Sequence, residues 1–225
     1  MKRARLIDLS QPIHTGMPVY PILPKTFLQR YHTFEEFEDG RMWPASTDLL
    51  LMSTHAGTHI DAPAHIKPGV ATIDQADLSV MAGEAVWLDV SSKKPGEEVS
   101  RGELQRALKD VGVEIQPRLI VLFHTGMSKR WGLPEYGQTT IGISPEAVEW
   151  MLDHGVIVYG LDGPSPDVDY KNLPNHQLLG RRPHHHIENL TNLDHIPTPR
   201  FTFFGLPIAL RGATGAPIRA VALVD

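Results

Sequence analysis

Residues 53–65 read STHAGTHIDAPAH, and His55, His59, Asp61 and His65 fall within eleven positions of one another. Neutral imidazoles beside a carboxylate suit a divalent ion such as Zn²⁺ or Mn²⁺. Two histidines four residues apart can share a helix face, but Gly57, Thr58 and Pro63 disfavour a helix here. On an extended chain side chains alternate, so His55, Gly57, His59, Asp61, Pro63 and His65 would share one face. A straight strand would hold His55 and His59 about 13 Å apart, at ~3.3 Å per residue, which is too far for chelating one ion. The segment is therefore expected to bend, and Gly57 is the residue that permits it.

A second group lies in residues 174–197, PNHQLLGRRPHHHIENLTNLDHIP. His176 and Glu188 stand out, with His184, His185 and His186 between them. The simplest reading of three adjacent histidines is a solvated loop, and composition alone does not choose among these residues. His184 and His186 do share strand parity with Glu188.

The elements that must position these groups read as follows. Residues 6–10 (LIDLS) form a short strand, followed by an extended loop punctuated by Pro12, Pro18, Pro21 and Pro24. Residues 48–54 form a strand leading into the histidine segment. Residues 83–90 and 118–124 are buried strands, and 156–162 is another. Ser100 and Glu103 form a capping box that opens a helix through about residue 110. Ser144-Pro145 opens a second helix, with Pro at its first position, and Gly155 ends it. Residues 201–210 and 217–224 complete the strands. The middle reads strand–helix–strand–helix–strand and the ends read all-β, without repeat or linker, which predicts one α/β domain over residues 1–225 with a mixed sheet and flanking helices.

The composition agrees with a soluble enzyme: 41% hydrophobic and 21% charged residues, with a net charge of −5. No basic stripe points to nucleic acid. The absence of cysteine excludes disulfides, thiolate metal sites and a Cys nucleophile. No apolar run reaches transmembrane or signal-peptide character, so a cytoplasmic location without membrane contact is expected.

The stretch from His55 to His65 resembles the HxGTHxDxPxH signature of the metal-dependent cyclase family, which includes bacterial kynurenine formamidase and isatin hydrolase. Residues 8–21 (DLSQPIHTGMPVYP), 123–132 (FHTGMSKRWG) and 160–167 (GLDGPSPD) resemble further blocks of that family, as do His176 and the ENLTNL run from Glu188. The resemblance implies a compact α/β domain of the swivelling β/β/α type, found as dimers or larger oligomers. It implies that His55, His59 and Asp61 hold a first divalent ion, that Asp61 bridges to a second held by His176 and Glu188, and that His65 is the general acid/base. One or two ions per chain are consistent with the family. Tyr20 stands where the formamidase pattern tends to have a substrate-facing tryptophan.

The expected chemistry follows. A bound divalent ion lowers the pKa of its water to about 7 and polarises a carbonyl. An unligated His65 can take the water's proton and return it to a leaving nitrogen. The expectation is hydrolysis of a small amide, an aryl formamide such as N-formylkynurenine or an isatin-like cyclic amide, without a nucleophilic side chain. Tyr20, with Phe27, Tyr31 and Trp43 downstream, offers aromatic faces for such a planar substrate. The segment 26–44 is a candidate lid or dimer contact. The alternatives are a metal-dependent dehydratase or lyase acting on a small carboxylate, and a non-catalytic metal-binding protein. Retention of His65 speaks against the last.

Overall fold

Three apolar runs set the centre of the architecture. Parallel strands covered on both faces read as near-continuous hydrophobic stretches, and residues 82–89, 120–124 and 158–161 have that character. The computed structural model describes residues 4–33 and 45–224. In chain order its strands and helices are β1 (Arg5–Asp8), β2 (Phe27–His32), β3 (Thr47–Leu51), β4 (His59–Asp61), β5 (Ala82–Asp89), β6 (Glu98–Val99), α1 (Arg101–Asp110), β7 (Ile120–His124), β8 (Gly142–Ile143), α2 (Pro145–Asp153), β9 (Val158–Leu161), α3 (Pro174–Arg181), β10 (His185–Glu188), β11 (Arg200–Phe204), β12 (Gly215–Pro217) and β13 (Val221–Val224).

One mixed sheet carries nine of these strands in the order β1-β13-β11-β5-β7-β9-β10-β4-β12. β5, β7, β9 and β10 run parallel, and the flanking pairs are antiparallel. The period of two along β7 divides the core. Ile120 and Leu122 join one cluster with Leu9, Ile60, Ile187 and Phe203, while Val121 and Phe123 point to the other face. There they meet Leu104 and Leu108 of α1 and Val148 and Met151 of α2. The Ser100–Glu103 capping box is formed, with the Ser100 side chain accepting from the Glu103 backbone N–H. Ser144 caps α2 with Pro145 at its first turn, and Gly155 follows at φ +81°. No helix among the described residues is long and apolar enough to cross a membrane.

Several expected elements differ. The strand over residues 48–54 is found as β3, but it pairs with β2 in a separate ribbon whose residues are mostly solvent-exposed. The strand expected over 201–210 stops at Phe204, because Gly205 and Pro207 interrupt its ladder. That expected over 217–224 is two strands, β12 and β13, separated at Ile218–Ala220. The histidine segment is extended only over β4. Gly57 supplies the bend at φ +67°, and a short 3-10 turn spans Pro63–His65. The three adjacent histidines are no solvated loop: His184, His185 and His186 are all buried, and the last two lie in β10. A run of polar letters hid a strand whose inward face is built of chemistry rather than hydrocarbon.

Candidate metal centre

β4 and β10 lie side by side and antiparallel, with Glu188 opposite His59 and Ile187 opposite Ile60. The apolar partners Ile60 and Ile187 enter the core. Alternation then puts His59 and Asp61 of β4 on the same side as His186 and Glu188 of β10. His55 reaches this side through the bend at Gly57, His65 through the 3-10 turn, and His176 from α3.

The two carboxylates divide the cluster. Asp61 Oδ1 lies 2.7 Å from His55 Nδ1 and 3.4 Å from His59 Nε2. Its other oxygen, Oδ2, lies 3.2 Å from His186 Nε2 and 3.8 Å from His176 Nε2. Glu188 repeats the division. Its Oε2 is 3.5 Å from His59 Nε2, and its Oε1 is 3.6 Å from both His176 Nε2 and His186 Nε2. Two sets of donor atoms, each close enough to surround one ion, result: His55, His59 and Asp61, and Asp61, His176, His186 and Glu188.

Outer partners hold the rings. His59 Nδ1–H donates to Gly57 O at 2.9 Å, which leaves Nε2 facing the carboxylates. His176 Nδ1–H donates to Asp167 Oδ2 at 2.6 Å. Asp167 also accepts from the backbone N–H groups of Asn175 and His176, so one buried carboxylate caps the start of α3 and aims its histidine. His55 Nε2 pairs with Thr214 Oγ1 at 2.8 Å. His185 faces away and donates from Nδ1 to the backbone oxygen of Asp61, at 2.8 Å.

The electrostatics fit a cation. Burial raises the Glu188 pKa well above the carboxylate range, and the neighbouring charges of Asp61 and Asp167 add to the effect. Burial would raise Asp61 too, but His55 and His186 outweigh it and hold it well below the usual value. Glu188 Oε1 and both ring nitrogens of His186 are buried without a hydrogen bond. No lysine or arginine pairs with Asp61 or Glu188 among the described residues. Buried carboxylates with unsatisfied atoms and only imidazoles around them are costly unless an ion completes the set, so the donor set fits a divalent metal. Burial pushes His59 down to about 4, which keeps its nitrogen unprotonated and free to ligate.

His65 stands at the mouth. Its ring stacks on His55 at 3.9 Å between centroids, Nε2 is 3.7 Å from Asp61 Oδ2, and its side chain keeps 30% exposure. Burial pushes its pKa down to about 4. It opens on a cavity of about 250 Å³, also lined by Tyr20, Tyr136, Tyr170, Leu173 and Ile66. Tyr20 packs edge-on against Tyr170 at 5.9 Å. Tyr136 donates its hydroxyl to Asn189 Oδ1 at 2.6 Å. Phe27 and Tyr31 do not line the cavity. They sit exposed on the β2–β3 ribbon, and Trp43 lies outside the described residues.

The structure thus brings together His55, His59, Asp61, His65, His176 and Glu188, with Tyr20 at the cavity wall. Sequence reasoning missed Asp167 and Thr214, and it noted the parity of His184 and His186 with Glu188 but favoured a solvated loop for both. For His186 the signal existed in its even spacing from Glu188. Asp167 and Thr214 carry no local signal, since their partners are distant in sequence or on another element.

A family model described as "Putative cyclase" matches residues 7–168. A kynurenine formamidase of Paracidovorax citrulli is 31% identical over 96% of this chain and 95% of its own length. A kynurenine formamidase of Bacillus cereus (strain ATCC 14579) is 30% identical over 98% of both chains. Among solved structures, isatin hydrolase A from Ralstonia solanacearum superimposes with a TM-score of 0.85 at 25% identity, covering 99% of this chain and 92% of that one. An isatin hydrolase bound to the product analogue thioisatinate shares the fold, with a TM-score of 0.87 at 22% identity over 99% of this chain and 93% of that one. The coverage by the family model and by relatives matched over nearly their whole length shows that this chain belongs to the putative cyclase family.

Proposed function

We propose that this chain is a metal-dependent hydrolase of a small amide C–N bond, with an aryl formamide of the N-formylkynurenine type as first substrate class and an isatin-like cyclic amide as second. The observation that carries this reading is the pair of split carboxylates in their histidine shell, opening through an unligated His65 onto a tyrosine-lined cavity. The kynurenine formamidase relatives support the substrate class. His55, His59 and Asp61 would hold one ion, and Asp61, His176 and Glu188 a second, with Zn²⁺ or Mn²⁺ favoured by the mixture of imidazole and carboxylate. When bound, such an ion acidifies water and polarises the amide carbonyl.

The chain's own residues do the rest. His65 is neutral at pH 7, so Nε2 accepts a proton from the attacking water and returns it to the leaving nitrogen as the C–N bond breaks. Tyr20 and Tyr170 offer ring faces and edges to a planar aryl group. An arylamine nitrogen leaves more readily than an alkylamine nitrogen, so one histidine suffices to assist it.

We further propose a cytoplasmic enzyme that takes small-molecule substrates and assembles as a homodimer or larger homo-oligomer. Phe27, Leu28, Tyr31, Leu49, Leu50 and Leu51, all exposed on the β2–β3 ribbon, support the oligomer. The test of function is steady-state hydrolysis of N-formylkynurenine and isatin by Zn²⁺- or Mn²⁺-loaded protein, beside an aliphatic amide and an aliphatic ester. Turnover of at least one aryl amide well above the aliphatic pair is expected. Turnover of a non-aromatic cyclic amide alone would overturn the aryl assignment, and no C–N cleavage at all would turn the reading towards a dehydratase or lyase.

A further inference from the structure

His186 is fully buried, and neither of its ring nitrogens makes a hydrogen bond. An imidazole in that position costs desolvation at both nitrogens, whereas a leucine would cost none. Tyr159 packs against it at a tilt, with centroids 5.8 Å apart, and His176 meets it edge-on at 4.6 Å. Nε2 instead converges on the carboxylate oxygens that His176 also faces, lying 3.2 Å from Asp61 Oδ2 and 3.6 Å from Glu188 Oε1. One donor atom from each of Asp61, His176, His186 and Glu188 lies within 4.8 Å of all the others, a spacing that one ion can bridge. His184, two residues earlier, differs. It stacks on Tyr159 and donates from Nδ1 to Arg182 O; its Nε2 is also buried without a partner, but it forms no ion pair with a carboxylate among the described residues and belongs to neither donor set.

We propose that His186 is itself a ligand of the second cation, which is then held by Asp61, His176, His186 and Glu188. The proposal rests on the metal-dependent reading above and deepens it. Four protein donors, all buried, make a closed position of the kind that holds an ion tightly, whereas the set of three at His55, His59 and Asp61 keeps a part-exposed side where a reacting molecule can enter. Two imidazoles among the four also favour Zn²⁺ over Mg²⁺ or Ca²⁺, which prefer oxygen donors.

The experiment uses the full chain, stripped of metal and titrated with Zn²⁺ against a chromophoric chelator, with bound metal counted directly. His186→Leu keeps the bulk without a ligand, and His186→Gln keeps polarity. Wild type should take up two equivalents, and in both variants the affinity for one of them should fall by more than about 100-fold, beyond the roughly 10–100-fold expected from losing an outer hydrogen-bond partner. Two equivalents retained within that range would overturn the assignment while leaving metal dependence intact. If wild type binds no divalent ion, both readings fail. Should the variants not fold, a crystal structure of the Zn²⁺-loaded wild type decides. An ion about 2.0–2.1 Å from His186 Nε2 supports the proposal, and one out of bonding range overturns it.

Discussion

Asp61 shows how a single side chain can organise a centre. It is buried, yet its two oxygens face different histidine sets, so its charge is shared rather than paired. Glu188 sits beside the same rings with its pKa pushed the opposite way by burial and by Asp61. Carboxylates in a cleft whose affinities for protons are driven apart by burial and by specific charged partners are the pattern of a functional site. His65 is distinguished from the rest by exposure: it touches the cluster through its stack on His55 and its contact with Asp61, but it belongs to neither donor set. His65→Ala should therefore lower turnover on the order of 10²–10⁴-fold, the range for general acid/base work, and leave the metal content at the wild-type level. Parallel kinetics and metal analysis check this. A variant that loses metal along with activity would make His65 a ligand.

At the scale of elements, the centre depends on strand register and on close backbone approach. β12 pairs with β4 so that Gly215 lies opposite Asp61. A Cβ at Gly215 would come within 2.6 Å of His55 Cε1 and 2.9 Å of the Ile60 backbone oxygen, so the strand can pass here only as glycine. Gly215→Ala should displace the His55 ring, at a stability cost of about 1–3 kcal/mol for overpacking, and weaken metal binding at the first position more than at the second. Stepwise metal titration of the variant tests this; binding and turnover equal to wild type would show that His55 has room to move. The same elements show what the sequence could and could not reveal. Apolar runs made β5, β7 and β9 legible, and Ser100–Glu103 and Ser144-Pro145 marked the helix starts. His55 to His65 announced themselves because bend and donors lie within one short segment. β10 was missed because its pattern is polar on the face that a hydrophobic period would use, and α3 because its start is capped by Asp167 from the preceding loop rather than by its own first residues. Thr214 and Gly215 reach the centre only through sheet pairing, which no local pattern encodes.

On the scale of the whole molecule, the centre ties together parts of the chain that are far apart in sequence. His55 and the β4 residues meet α3 and β10 more than a hundred positions later. β4, β10 and β12 are strands of three or four residues. Strands this short bury little apolar area beyond Ile60, Ile187 and Ala216, and the opposite face of β4 and β10 carries histidines and carboxylates in place of core hydrocarbon. Ions that bind only the folded arrangement should therefore supply a large share of the stability of this side. A ligand present at about a thousand times its Kd stabilises the folded state by about 4 kcal/mol, and 1 kcal/mol shifts Tm by roughly 2–4 °C in a chain of this size. Verified demetallation should thus lower Tm by about 8 °C or more and abolish hydrolysis, and Zn²⁺ or Mn²⁺ should restore both. Hydrogen exchange should localise the loss of protection to β4, α3 and β10, leaving the parallel core of β5, β7 and β9 protected, since that core is closed by hydrocarbon on both faces. A demetallated protein with unchanged Tm and unchanged protection at β4 and β10 would show that the histidines and carboxylates hold one another without an ion.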